Sequence, residues 1–337
     1  MKKKVCGIIL IISIFICCLI FTGCAKNNQK DIVSKLEKNL NSSKGYSLTG
    51  ILEIINNEDT YTYDVNVAYK EGDNFRVSLK NQVNNHEQII LRNVDGVYVL
   101  TPSLNKSFKF QSEWPYNNSQ SYLLQTIIRD IKNDNDKTFE EKDGNYIFTV
   151  KANYSNNKNL VKQKITFDKD LKLVSVEIMN DKDQVLMKMD VNNVDMGATY
   201  NDNYFTLKEN MESSVSEESL KNVSKIEEII YPMYMPINTY LSGQDQVSKE
   251  TGERVILTFG GEKPFMLVEE TVSKEEEMTI TPMSGEPDML GGILGVVSDK
   301  SVTWINEGIE YYVVSDILSK DELMSIAKSV SVMPVSK

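Results

Sequence analysis

The chain of 337 residues carries few of the side chains that do nucleophilic or metal chemistry. His86 is its single histidine, so any Ser-His-Asp or Cys-His scheme must use it. It lies in the polar stretch NQVNNHEQ, which predicts an exposed turn rather than an active site. All cysteines fall within the first 24 residues, and they are Cys6, Cys17, Cys18 and Cys24. Thiol catalysis, an internal disulfide and a His/Cys zinc site in the remainder are therefore not expected.

The acidic and glycine-rich motifs are also incomplete as functional sites. Asp134 and Asp136 in NDNDK lack the glycine and the glutamate that an EF-hand loop needs. The run Glu275 to Glu277 is interpreted as a solvated face, and MLGGILGVVSDK lacks the G-K-[ST] of a phosphate loop. No G-x-S-x-G occurs around Ser284. The sequence predicts no cofactor, no metal and no enzymatic activity, with a cell-wall hydrolase acting through paired carboxylates as the weakest alternative.

The first residues have the layout of a secretory signal. Three lysines precede an apolar run from Val5 to Phe21, and small residues precede Cys24. The stretch FTGC resembles the lipobox of bacterial lipoproteins, which implies that residues 1–23 are removed and that Cys24 carries lipid. An uncleaved signal anchor is the alternative, since the apolar run is close to the shortest membrane span. Residues 24–30 would then be a lipidated cysteine and a polar tether.

The charge of the chain narrows its possible partners. The net charge is −11, and removal of the signal with its three lysines takes it to −14. Such a surface repels nucleic-acid phosphates and anionic lipid headgroups, so nucleic-acid binding is excluded. We expect attachment to the cell membrane through the lipid on Cys24, with the protein on the extracytoplasmic face.

Hydrophobic periodicity predicts a mainly antiparallel β fold with a few helices. Residues 31–41 have apolar positions at helical spacing, and a second helix is predicted in SQSYLLQTIIRDIK. Between and after them the period changes to two, as in YTYDVNVAY, FRVSLK, YIFTVKANY and VLMKMDV. Strict alternation is typical of strands with one buried face in an antiparallel sheet.

A change of composition predicts two domains. Residues 31–208 hold the long series of strands, and the Ser- and Glu-rich residues 209–224 are interpreted as a linker. Residues 225–337 then form a smaller α+β domain that begins near YPMYMP. Its last helix is predicted from a capping box of Ser319 and Glu322 before a stripe of apolar residues.

A group of aromatic residues precedes the inserted helix of the first domain. The group consists of Phe108, Phe110, Trp114 and Tyr122. Their spacing is typical of core positions, but they are also candidates for lining an apolar cavity or a partner surface.

The order of elements in residues 31–208, closing with NDNYF, resembles the LolA/LolB/RseB superfamily. VTWINEGIEYYVVSD and LSKDELMSIAKSV look like sporulation lipoproteins of the YdcC type, and WPYNNSQSYLLQTIIRDI looks like germination lipoproteins of the GerS type. The resemblance implies an incomplete, curved barrel that wraps around helices and encloses an apolar cavity. It also implies a setting in sporulation or germination.

Two functions remain open at this stage. The first is a membrane-anchored protein that binds a protein partner in the envelope, such as a cell-wall-modifying enzyme. The alternative is a LolA-like carrier or binder of lipid or lipoprotein acyl chains. A filled barrel beside a flat apolar patch would favour the first function, and a continuous apolar cavity would favour the second.

Overall fold

A computed structural model describes residues 28–56, 59–212, 225–249, 252–272, 277–290 and 292–331. The predicted signal, Cys24 and most of the tether lie outside these ranges, as does most of the predicted linker. In the described residues no helix is both long and apolar enough to cross a membrane.

Strands make up most of the described structure, and helices are few. The helices are α1 (Gln29–Ser42), α2 (Leu124–Asn133), α3 (Leu207–Glu212) and α4 (Lys320–Ser331). The strands of the first part are β1 (Gly45–Asn56), β2 (Asp59–Lys70), β3 (Asn74–Asn81), β4 (Glu87–Asn93), β5 (Gly96–Thr101), β6 (Lys106–Phe110), β7 (Thr138–Lys142), β8 (Asn145–Lys151), β9 (Lys162–Phe167), β10 (Leu173–Met179) and β11 (Val185–Asp195). Those of the second part are β12 (Thr239–Lys249), β13 (Gly252–Gly261), β14 (Phe265–Thr271), β15 (Thr279–Met283), β16 (Glu286–Leu290), β17 (Ile293–Val297), β18 (Ser301–Asn306) and β19 (Ile309–Val314).

The larger sheet is a curved, open half-barrel. Its order is β15-β6-β5-β4-β3-β2-β1-β11-β10-β9-β8-β7, and its ends are not paired with each other. One hydrophobic core joins the inward residues of nearly all these strands to one face each of α1 and α2. In β2, for example, Tyr63, Val65 and Val67 are buried, while Asp64 and Asn66 are exposed. The predicted fold class, mainly antiparallel β with an incomplete barrel around helices, is confirmed.

The outer face of the half-barrel is covered by the chain that leaves it. A 3-10 turn at Asp202–Phe205 and helix α3 place Phe205 and Met211 on a second small core over β2, β4 and β5. Asn93 Nδ2 donates to the carbonyl oxygen of Phe205 at 2.8 Å. Residues 209–212, assigned to the linker from sequence, therefore belong to a docked helix.

The second sheet has the order β12-β13-β14-β19-β18-β17-β16. Helix α4 and the segment 225–235 pack on its inner face around Trp304 and Tyr311. The predicted capping box is confirmed, because the Ser319 amide donates to Glu322 Oε2 at 3.1 Å and the Glu322 amide donates to Ser319 Oγ at 3.4 Å. These two bonds satisfy amide groups that would otherwise be unpaired at the start of α4.

The two parts share a sheet and a core. Strand β15 leaves the second part and pairs in parallel with β6, at the edge of the half-barrel. The buried Gln88 side chain exchanges two hydrogen bonds of 3.2 Å with the backbone of Leu294. Lys106 forms an ion pair of 3.1 Å with Glu310. We call this junction the seam.

Candidate functional site

The aromatic group predicted from sequence does not form one site. Phe108 and Phe110 point into the half-barrel from β6 and are buried in its core. Trp114 is only 1% exposed and meets the ring of Phe75 edge-on, with 6.0 Å between ring centroids. Of the four residues, only Tyr122 lines the cavity described below. The hypothesis of a shared apolar cavity therefore reduces to Tyr122.

His86 occupies a different environment from the one predicted. It lies in the turn before β4, as expected, but its ring is largely buried, and burial lowers the pKa of the imidazole. Its Nε2 atom makes no hydrogen bond in the described part of the chain. The turn residues 82–85 are exposed as predicted, whereas His86 is partly buried. Within the described ranges, no cluster of His, Cys, Asp or Glu could hold a metal ion.

A partly open cavity of about 250 Å³ lies at the seam, and we call it the seam cavity. On the half-barrel side its wall comes from β1, β11, the segment before α2 and the loop after β8. On the other side it comes from β16, β17 and α4. The apolar wall is formed by Leu52, Ile54, Ile90, Leu160, Leu186, Met187, Met289 and Leu294.

Two ionisable residues of opposite charge line the seam cavity. Asp288 is on β16 and Lys328 is on α4. Burial raises the pKa of Asp288 above its usual range and lowers the pKa of Lys328 below its own. Burial also raises the pKa of Tyr122 and Tyr154, whose rings line the same space. The site was not predicted from sequence, since its residues come from both halves of the chain.

A second feature is an exposed apolar surface beside an unpaired strand edge. The residues are Tyr231, Met233, Tyr234, Ile237, Tyr240 and Leu241, and we call them the apolar edge surface. Met233 is 75% exposed and Ile237 is 81% exposed. Strand β12, which begins at Thr239, pairs only with β13 among the described strands, so its other edge is open. The hydroxyl of Tyr231 bonds to Gln244 Oε1 at 2.7 Å, which holds the preceding segment against β12.

Comparison with known proteins decides the family. No family model matches the chain. The sporulation protein YdcC of Bacillus subtilis (strain 168) is 35% identical over 333 residues, which cover 98% of each chain. The chain belongs to the YdcC family. The resemblance of the C-terminal motifs to this family is thereby confirmed.

Solved structures give weaker likenesses. The complex structure of Pseudomonas aeruginosa MucA/MucB includes a chain that is 13% identical, with 89% of this chain and 97% of that chain covered at a TM-score of 0.34. The complex of the CwlD amidase with the GerS lipoprotein from Clostridioides difficile includes a chain that is 14% identical. The match covers 52% of this chain and 98% of that chain at a TM-score of 0.31. A LolA superfamily protein from Nitrosomonas europaea is 11% identical. The match covers 53% of this chain and 98% of that chain at a TM-score of 0.31. At these TM-scores the solved structures say nothing about partners of this YdcC family member.

Proposed function

We propose that this protein is a non-enzymatic envelope lipoprotein that acts in sporulation or germination by binding a protein partner through the apolar edge surface. It is held on the extracytoplasmic face of the cell membrane by lipid on Cys24. The observation that carries the proposal is an exposed apolar surface at an open strand edge. Membership of the YdcC family supports the setting in sporulation.

The aromatic part of the half-barrel interior is filled by its own side chains. Phe75, Phe110, Trp114, Phe148 and Phe167 are fully buried there. They pack with the apolar faces of α1 and α2 in one core. Close-packed cores of this kind leave few voids larger than a water molecule. A carrier of acyl chains would need a continuous apolar cavity in this position.

The apolar edge surface has the properties of a docking site. A soluble protein rarely leaves several large apolar side chains exposed together, unless they meet a partner. Pro232 and Pro236 fix the backbone of this segment, so less conformational entropy is lost when a partner binds. Tyrosine, which supplies three of the six residues, is enriched where one end of a side chain is buried and the other is wet.

The open edge of β12 indicates the chemistry of the partner. The strand runs for eleven residues from Thr239 to Lys249, and most of its side chains are exposed. A long unprotected edge is a template for pairing with another chain. A partner that adds an extended segment to β12 would gain main-chain hydrogen bonds and would place its apolar side chains on Tyr240 and Leu241. We propose a protein partner of this kind, such as a cell-wall-modifying enzyme.

The LolA-like carrier is the second candidate, and the seam cavity is the feature that favours it. At about 250 Å³ this cavity is smaller than the pockets of roughly 300–1,000 Å³ that hold drug-sized ligands. A diacyl lipid is larger than a drug-sized ligand. Asp288 and Lys328 would also be buried against hydrocarbon, which is costly for charged groups. Partner binding therefore explains more of the structural features described above than lipid transport does.

Charge introduced on the apolar edge surface tests the proposal. Met233→Lys with Ile237→Lys should leave the thermal midpoint near that of the wild type, because both side chains are exposed. Hot-spot residues each contribute about 2 kcal/mol or more, which is a loss of about 30-fold in affinity per residue. We expect the variant to fail in restoring sporulation or germination to a spore-forming host that lacks this protein.

A matched control introduces the same charges elsewhere. Val83 and Val94 are 87% and 89% exposed on turns of the half-barrel. Val83→Lys with Val94→Lys should restore the host as the wild type does. Equal activity of the two double variants would contradict the assignment of the apolar edge surface.

A further inference from the structure

We infer that the seam cavity binds a small zwitterion, namely an apolar amino acid, with Lys328 facing its carboxylate and Asp288 facing its ammonium group. The seam cavity and the apolar edge surface share no residues, so this inference does not depend on the proposed partner.

Size sets the first limit on the occupant. The seam cavity has a volume of about 250 Å³ and is lined by both parts of the protein. This volume is somewhat below that of pockets that hold drug-sized ligands, which are roughly 300–1,000 Å³. It is enough for an amino acid with a medium apolar side chain.

Charge sets the second limit. In the described part of the chain, no ion pair or side-chain hydrogen bond connects Asp288 or Lys328 to an oppositely charged group. The carboxylate of Asp288 accepts the amide of the adjacent Met289 at 2.7 Å and interacts with the side chain of Asn156, neither of which is charged. Each of the two charges influences the pKa of the other across the cavity. A ligand with one charge would satisfy one of these residues and leave the other without a partner.

The lining sets the third limit. The half-barrel wall contributes leucine, isoleucine and methionine side chains, which favour an apolar body. The polar positions near the loop after β8 are amides, Asn157 and Asn159, which can both donate and accept hydrogen bonds. An apolar wall opposite a pair of unlike charges matches an α-amino acid, whose two charged groups are at one end of the molecule.

Calorimetry on the full-length protein tests the site. The apolar L-amino acids are titrated one at a time, and we expect at least one of them to bind. The strongest binder is then compared with its deaminated and decarboxylated analogues, which for leucine are 4-methylpentanoate and 3-methylbutylamine. Because a site built for a polar group rejects an analogue that lacks it, each analogue should bind more weakly by about tenfold or more.

Two nearly isosteric variants test which charged group of the ligand each of the two residues binds. Asp288→Asn should bind the amino acid more weakly and lose its preference over the deaminated analogue. Lys328→Met should lose the preference over the decarboxylated analogue. The control is Lys300→Met with Asp316→Asn, which removes an exposed ion pair that does not line the cavity. This control should bind as the wild type does.

Several results would overturn the inference. They are the absence of binding by every apolar amino acid, equal binding of the two analogues and the zwitterion, and displacement of the amino acid by dodecanoate at equal affinity. Thermal midpoints of the variants show whether a loss of binding reflects unfolding. If Asp288→Asn does not fold, the analogue series on the wild-type protein still decides between a zwitterion and a lipid.

Discussion

At the scale of residues, Glu269 shows how a strand pattern can bury a charge. It lies on β14 between Leu267 and Thr271 on the inner face, whereas Glu270 faces outward and pairs with Arg254. Its Oε1 atom accepts the amide of Ile230 at 2.9 Å, and its Oε2 atom has no hydrogen-bond partner in the described residues. Burial raises the pKa of Glu269 to about 7.

The raised pKa of Glu269 gives a prediction for stability. The group favours the folded state when protonated, so its contribution is present below about pH 4.5 and is lost as the pH rises through about 7. Glu269→Gln stays neutral, so the variant should match the wild type near pH 4 and be more stable at pH 8 by on the order of 3 kcal/mol. Denaturant unfolding of both proteins across this range measures the difference. A constant difference at every pH would contradict the assignment.

Residues also show what the sequence could predict. Alternation identified the buried face of β2, and the same rule applied to β14 would have found Glu269 beside Phe265 and Leu267. The environment of the aromatic group was harder to predict. Periodicity distinguishes buried from exposed positions, but it does not distinguish a core position from a cavity wall. Only the tertiary packing distinguishes Trp114 from Tyr122.

At the scale of elements, β15 could not be placed from the sequence. Its pattern predicts a strand, but a strand pattern does not name its neighbour, and the pairing with β6 joins residues far apart in the chain. Asp288 and Lys328 line one cavity for the same reason, since β16 and α4 are adjacent only in the folded protein. The capping box of α4 and the alternating strands were predictable, because each depends on residues close in sequence.

Pairing between β15 and β6 makes the proposed linker testable. Polar exposed segments are preferred sites of proteolysis, so a glutamyl endopeptidase should cut first at Glu217 or Glu218. The two fragments should elute together in native buffer, because they share a sheet and a core, and should separate in denaturant. Glu217→Gln with Glu218→Gln should slow the first cut. First cleavage within 146–191, or separate elution in native buffer, would contradict this organisation.

At the scale of the whole molecule, the proposed anchor determines where the apolar edge surface operates. A diacylglyceryl group supplies membrane affinity that a single acyl chain does not. Cys24→Ala should therefore release the protein from membranes or leave an unprocessed precursor, as measured by fractionation and mass. Cys18→Ala is the matched control, because that cysteine would leave with the signal. Membrane retention and mass equal to the wild type in Cys24→Ala would contradict lipid attachment.

The most direct test of partner binding is site-specific photocrosslinking in cells during sporulation. A photoreactive amino acid replaces Met233 on the apolar edge surface, or Val94 on the half-barrel as the control. The account predicts one dominant protein adduct from position 233, the loss of that adduct when Ile237→Lys is added, and its absence from position 94. The same adducts from both positions, or no change on adding Ile237→Lys, would contradict it.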